Sequence, residues 1–422
     1  MRIKLLTLGT RGDIQPFIAL GIGLQKRGHR VTICTSRNFE GGIHAYGLEF
    51  VSIQADIMKL VQSEEGKQML SGNPLRSMKL MKTHVFPMMR QMLEDVWEAS
   101  QDADAIIYHP KVFGGYDIAQ KRKIPAFIAH PTPIIVPTGT FTNPILPFTL
   151  RIRWLNKISY QLNRLMILSF IHMINNWRRE TLNLPPRSLS KNELCIDGRD
   201  IPVLYGCSPT VVPYDPKWKD RVCMEGSWFA SEMDEWHPSQ SLESFISAGT
   251  PPIAISFSSM PLKQPDQVFG MIRKALNQTG QRGIIITGWS GLKQNLDSCG
   301  EILCIDEVPH AWLFPWTAGV IHHGGAGTTA AVLHAGKPMA ICPFTGDQPF
   351  WARRMYELGV SPKPLHEKTL SIESLVECIV SLTNDSKLKH NAMIISSKVK
   401  NEQGVERTVD FIEKHLAASR LS

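Results

Sequence analysis

CxxC pairs, long apolar runs and the GxGxxG dinucleotide fingerprint are missing from this chain. Its eight cysteines, at 34, 195, 207, 223, 299, 304, 342 and 378, form no CxxC pair, so neither a zinc site nor a redox motif is expected. Several lie inside apolar, strand-like runs and are expected to be buried free thiols in a reducing compartment. The longest apolar run, Leu165 to Ile174, contains Ser169 and His172 and is too short to span a bilayer. Met1 leads straight into an apolar strand, so no secretory leader is expected and the expected location is cytoplasmic. No module interleaves aromatic and basic residues, which removes nucleic acid as an expected partner. No DxD run flanked by strands is present, and no metal site is expected.

At 422 residues the chain exceeds one ordinary core, so two domains are expected. A net charge of +8 suits an anionic small molecule or a visit to an anionic membrane surface. The apolar runs alternate with helical patterns. Ile3 to Leu8, Arg30 to Thr35 and Gly47 to Ile53 read as strands, with a helix after Gly9-Thr-Arg-Gly12 that Gly28 ends. This β-α-β-α-β opening is that of a doubly wound sheet. Strands four and five are expected at Asp104 to His109 and Pro125 to His130. Residues 57–100 are helical in pattern and rich in methionine, which suits packing or an adaptable cleft. The turn GTRGD is not the GxGxxG fingerprint, and no acidic residue closes the second strand, so a nicotinamide cofactor is disfavoured. From the residues alone, Asp13 is a helix cap.

A second α/β run begins at Pro252, with strands at Ile253 to Phe257, Gly283 to Gly288 and Ile302 to Ile305. Its centre is VIHHGGAGTTAAVLHAGKPMAICPFTGDQP, Val320 to Pro349. An apolar stretch from near Trp312 closes as a strand at Gly319 to His322. Gly324, Gly325 and Gly327 then turn the chain, and Thr328 and Thr329 cap a helix that Gly336 and Pro338 stop. A glycine turn opening onto a helix N-terminus is an anion site, with outward amides and roughly +0.5 of macrodipole charge. His323 can donate to the same anion. Asp347 and Gln348 follow the next strand, on the same sheet edge, and their acceptors and donors suit sugar hydroxyls.

HHGGAGTT, the strand ICPF and GDQPFWARRMYELGVSPKPL resemble the donor-sugar signature of the UDP-glycosyltransferase superfamily. Within it the chain is most similar to sterol 3-beta-glucosyltransferases, and more distantly to bacterial glycopeptide and macrolide glycosyltransferases. The likeness runs to both ends of the chain. It implies the GT-B architecture: α/β, two Rossmann-like doubly wound domains facing across a cleft. On that reading residues 1–213 bind the acceptor, 214–240 link, 241–400 bind the nucleotide sugar, and 401–422 form a helix packing back on the first domain.

The resemblance also implies roles. Asp13 becomes the general base, a role compatible with capping. His109, expected opposite it because strands one and four are neighbours, either tunes Asp13 or merely ends a strand. Gly12, Ser259, Val308, His323, Gly325, Gly327, Thr328, Asp347 and Gln348 would hold UDP-glucose or a related nucleotide sugar, with no other cofactor. Ser256 and Ser258 stand where relatives carry glycines, which crowds that turn. Glu307 stands where plant relatives carry a uracil-stacking tryptophan; Trp289 is a substitute platform or core. The expected reaction is inverting and metal-independent transfer of a hexose, glucose first, to a hydrophobic alcohol, a sterol or alternatively a polyketide, macrolide or glycopeptide aglycone; a non-catalytic lipid-binding protein on the same fold is the remaining alternative. An aspartate base calls for a raised pKa or a histidine neighbour. Residues 151–179, basic and apolar by turns, read as one amphipathic helix for peripheral membrane contact, or as a solvated face over core.

Overall fold

The computed structural model describes residues 1–55, 81–187, 194–230, 236–257, 264–288 and 301–421. Ser258, Ser259, Trp289 and the part of the methionine-rich stretch up to residue 80 lie outside these. Met89 and Met92 are buried on the helix Phe86–Ala99.

Among the described residues seven strands make the first sheet: β1 (Arg2–Leu6), β2 (Arg30–Thr35), β3 (Glu49–Ser52), β4 (Ala105–Tyr108), β5 (Ala126–His130), β6 (Val203–Tyr205) and β7 (Val222–Cys223). Their order is β3-β2-β1-β4-β5-β6-β7, and every pairing is parallel. Strand β7 comes from the stretch read as a linker, so the first sheet draws on residues beyond 213. Apolar runs such as IKLL and AIIY are buried on both faces, as expected for a parallel sheet covered by helices. The register sets Leu6 beside Tyr108 and Tyr108 beside Ile128, so the chain leaves β1, β4 and β5 on one shared edge.

Helix α1 (Arg11–Lys26) follows β1 and buries Phe17, Leu20 and Leu24. A single basic helix over 151–179 does not form. The segment folds as α2 (Arg153–Ser159), α3 (Leu162–Leu168) and α4 (Ile171–Glu180). Side-chain bonds to backbone end α2: Ser159 Oγ donates to the Asn156 carbonyl and accepts from the Asn143 N–H. Arg178 on α4 is not a surface cation; it is buried against Asp117, Gln120 and the Pro185 carbonyl.

The second sheet contains β8 (Ile253–Ser256), β9 (Gly283–Ile286), β10 (Ile302–Ile305), β11 (Gly319–His322) and β12 (Met339–Ile341), in the order β10-β9-β8-β11-β12 and again parallel. Trp312 belongs to a short helix, His310–Leu313, rather than to β11. Helix α5 (Ala326–Ala335) follows β11, and α6 (Gln348–Glu357) follows β12. Beyond Ser371 there are three helices: α7 (Ile372–Asn384), α8 (Ser386–Lys400) and α9 (Gly404–Leu421). Asp385 makes the division. It ends α7 and its carboxylate accepts from the N–H groups of Lys387 and Leu388, capping α8.

Helix α9 returns to the first domain. Val409, Ile412 and Leu416 are buried with Phe17, Leu20 and Leu24, each adding about 1.5–3 kcal/mol of apolar burial. A Cβ on Gly23 of α1 would lie 2.5 Å from Val405 of α9, so glycine there permits the close approach. The chain thus passes between the domains twice. The two passages touch at Gly226 and Gly404, where a Cβ on Gly404 would sit 2.7 Å from the Gly226 carbonyl carbon.

Candidate active site

Asp13 is the third residue of α1 rather than its cap. Thr10 is the N-cap, and Asp13 Oδ2 accepts from the Thr10 N–H at 2.9 Å, the return arm of a capping box. That fold-back needs Gly9, whose φ is +136°; a Cβ there would be 2.1 Å from Asp13 Oδ2. Gly12 has no such constraint, its nearest neighbour being Thr10 Oγ1 at 3.6 Å from a built Cβ. The other carboxylate oxygen, Oδ1, takes the Lys111 ammonium at 2.7 Å and faces His109 Nε2 at 3.5 Å. Lys111 also donates its backbone N–H to His109 Nδ1 at 3.1 Å, which leaves the ring proton on Nε2, the atom turned toward Asp13.

Electrostatics follow from this packing. Burial pushes the Asp13 carboxyl up, but Lys111 and His109 outweigh it, with the Thr10 hydrogen bond, and hold it at about 2. The raised pKa expected of an aspartate base is absent, while the histidine neighbour is there. Burial drives His109 well below its ordinary value, and His130 adds to this against the pull of Asp13. The His109 and His130 rings lie 4.8 Å apart. His130 is lowered to about 4 by burial, with the Asp347 charge pulling the other way.

The facing edge belongs to the second sheet. His322 and His323 divide the work of the HHGG turn. His322 is wholly buried, and its Nδ1 accepts from the Gly324 N–H at 3.1 Å, pinning the turn from beneath. Gly324 has φ +92°, and a Cβ there would strike Ile341 at 2.6 Å. His323 is 7% exposed and lowered to about 4 by burial, against its bond to the Ser256 backbone and the Asp347 charge. Gly325 lets the His323 ring lie against the turn, since a Cβ would be 2.6 Å from Nε2. Helix α5 starts earlier than its threonines suggest: Gly325 is the N-cap, Gly327 and Thr328 fall in the first turn, and Thr329 Oγ1 donates back to the Gly325 carbonyl. The amides of Ala326, Gly327 and Thr328 therefore have no helical acceptor. Gly327 is exposed, and a Cβ on it would meet nothing within 4 Å, so this face of the turn is open.

Gln348 Oε1 accepts from the N–H groups of Phe344 and Thr345 at 2.8 and 3.1 Å, which fixes the amide. Asp347 Oδ2 accepts from Trp351 Nε1 at 3.0 Å and, across the domains, from Thr132 Oγ1 at 2.5 Å. Val308 is buried just before the helix His310–Leu313. Glu307 pairs with Arg11 across the cleft at 3.3 Å, both side chains more than half exposed. The two edges are thus in direct contact, with Asp13, His109, Lys111 and His130 on one side and the glycine turn, Asp347 and Gln348 on the other.

Two family models match this chain, one toward each end. Residues 3–137 match the Glycosyltransferase family 28 N-terminal domain, and residues 281–414 match the Erythromycin biosynthesis protein CIII-like, C-terminal domain. Two sterol 3-beta-glucosyltransferases of Arabidopsis thaliana are each 34% identical, over 100% and 99% of this chain and 66% and 68% of their own length. The chain belongs to their family. It spans about two thirds of the length of these two sterol 3-beta-glucosyltransferases. Among solved structures, the glycotransferase of kitacinnamycin superposes with a TM-score of 0.73 at 18% identity, covering 98% of this chain and 99% of that one. The fold is GT-B.

Lys111, His130, Thr132, Trp351 and His322 also stand at these two edges, and none was singled out from the sequence. Two carried a signal. His130 ends β5 as His109 follows β4, one strand away, and Trp351 stands four residues after Asp347, on the same helix face. Lys111 carried none.

Proposed function

We propose that this chain transfers glucose from UDP-glucose to the hydroxyl of a sterol or similar apolar alcohol, with inversion at the anomeric carbon. The observation that carries the reading is the apposition of the Asp13 edge and the glycine-turn edge through Thr132 and Asp347. On this reading the diphosphate lies at the N-terminus of α5. The amides of Ala326 to Thr328, the Thr328 hydroxyl and the positive end of the helix take up the charge that grows on the leaving group. His323, neutral at pH 7, contacts the same group, and Asp347 Oδ1 with the Gln348 amide orients the sugar. The acceptor oxygen attacks the anomeric carbon from the first-domain side, its proton passes to Asp13 Oδ1, and the bond to the diphosphate breaks with its electron pair on the phosphate oxygen. His109 Nε2–H steadies the carboxylate. Family membership supports the acceptor class, since the relatives are sterol 3-beta-glucosyltransferases.

The acceptor suggests where the protein works. Between residues 118 and 179 there are nine lysines and arginines and no carboxylate; Arg178 is paired with the buried Asp117, which leaves eight in a chain whose net charge is +8. Phe148, Ile152, Trp154, Ile158 and Leu165 are exposed there, Trp154 by 60%. Apolar side chains among Arg151, Arg153, Lys157 and Arg164 suit an anionic membrane surface, from which an apolar alcohol would be drawn. Among the described residues no helix is long and apolar enough to cross a membrane.

A panel of UDP-glucose, UDP-galactose and dTDP-glucose against cholesterol, a macrolide aglycone and no acceptor, read by mass spectrometry, tests the reading. A glucosylated sterol formed from UDP-glucose is expected. Turnover of the macrolide with none of the sterol would refute the acceptor class.

A further inference from the structure

The contact between Asp13 and Lys111 poses a chemical problem that the transfer reaction alone does not resolve. A buried carboxylate aimed into a cleft beside an activated sugar can take a proton from water as readily as from an alcohol. Water would then attack the anomeric carbon, forming a new carbon–oxygen bond as the bond to the diphosphate breaks. The electron pair leaves on the phosphate, the water proton goes to Asp13, and the products are free sugar and nucleoside diphosphate. An enzyme with this layout needs its base withheld until the acceptor is in place.

We propose that Lys111 is a positioning residue that masks Asp13: its ammonium covers Oδ1, the oxygen facing the cleft, and withdraws only when an apolar acceptor fills the space. The inference rests on the reading of Asp13 as the base. Four observations carry it. Lys111 Nζ lies 2.7 Å from Oδ1, while Oδ2 is committed to the Thr10 N–H, so neither oxygen is left without a donor. The lysine side chain is 48% exposed and the carboxylate 13%, so the mask is on the solvent side of the base. Lys111 has only its flexible four-carbon stem to move, because its backbone N–H is fixed on His109 Nδ1. No second cation among the described residues bonds to Asp13; the groups facing it are Lys111 and His109 from the loop after β4 and the Thr10 amide of its own turn, with His130 beyond His109. The acceptor hydroxyl replaces the ammonium as the donor to Oδ1 while the apolar body of the acceptor takes the space of the lysine stem, and Lys111 moves to the solvent that already covers half of its side chain; a water molecule is too small to displace the stem. With Lys111 in place Asp13 sits at about 2, a weak base; with the ammonium withdrawn, its basicity rises as the alcohol arrives.

The test compares the parent with Lys111→Met, Lys111→Arg and Asp13→Asn. UDP release from UDP-glucose is measured without acceptor and transfer is measured with cholesterol, both across pH, after thermal melting has shown parent-like folding. In Lys111→Met, release without acceptor relative to transfer is expected to rise several-fold. The acid limb of kcat/KM for transfer is expected to move up by about one pH unit, as befits loss of an adjacent opposite charge. Lys111→Arg is expected to restore the parent ratio. An unchanged ratio in Lys111→Met overturns the mask even if the acid limb moves, as does an arginine variant no different from the methionine one. If Asp13→Asn transfers as fast as the parent, the fault lies with the base itself and not with Lys111.

Discussion

The Thr132 hydroxyl, just beyond β5, donates to Asp347 Oδ2 at the start of α6, 2.5 Å away and 215 residues along the chain. Trp351 Nε1 shares the same oxygen and also reaches Thr132 Oγ1 at 3.3 Å. Hydrogen bonds to a charged group are worth about 1.5–3 kcal/mol. Thr132→Val is therefore expected to lower stability by about that amount, and Thr132→Ser to retain most of it. Urea unfolding decides; a valine variant as stable as the parent would mean the domains do not meet there in solution.

The glycines of GTRGD separate into a structural one and a free one. Gly9→Ala forces a side chain into positive φ and onto the Asp13 carboxylate, and is expected to cost about 1–3 kcal/mol and most of the activity. Gly12→Ala meets only an ordinary contact and is expected to melt with the parent. A change in the KM for UDP-glucose in Gly12→Ala then reports on the ligand alone.

Thr328→Val keeps the shape of the first turn of α5 and removes one donor. If the diphosphate sits there, KM for the donor rises about tenfold or more, by the loss of a bond to a charged group, with stability unchanged. Donor titrations followed by calorimetry measure it, and an unaltered affinity would move the phosphate elsewhere.

Acid should destabilise the protein in two steps. His130, His310 and His323 are lowered by burial to about 4, and His109 and His322 are also pushed well down. These rings stay neutral in the fold, whereas in the unfolded chain they gain protons near 6.5. Stability is then full above about 6.5 and declines as pH falls toward 4, by ~1.4 kcal/mol per ring per pH unit at most. Asp13 acts lower down: its depressed carboxyl stabilises the fold above about 3.8, and that contribution is lost as pH falls to about 2. Denaturant midpoints at pH 7, 5.5 and 4.5 check the first step, and a flat profile would contradict the burial of the rings.

Vesicles test the basic stretch. The protein is expected to co-sediment with phosphatidylserine-containing vesicles and not with phosphatidylcholine alone. Trp154→Ala with Ile158→Ser should weaken this binding without altering stability, since both side chains are exposed. Equal binding by the double variant would place the contact on another face.

Both sheets were legible because each central strand is buried on two faces and so appears as an unbroken apolar run, as in Ile253–Ser256 and Ala105–Tyr108. Strand order then brought Asp13 and His109 together on paper, since neighbouring parallel strands release their loops on one edge. Lys111 escaped because its partner lies 98 residues away and its own neighbourhood has no pattern that demands a cation. Thr132 escaped for the same reason at greater range. The single helix expected over 151–179 failed where a side chain captured backbone, at Ser159, because such a bond leaves hydrophobic periodicity intact while ending the helix.

Gly226 and Gly404 pack backbone on backbone where the chain crosses between the two sheets and where it crosses back. The chain is continuous between the halves at these two crossings, so any change in the gap between Asp13 and the glycine turn has to be taken up by backbone that is packed against backbone. A bulky residue at either position would alter how far the halves part, although both stand apart from the reacting groups.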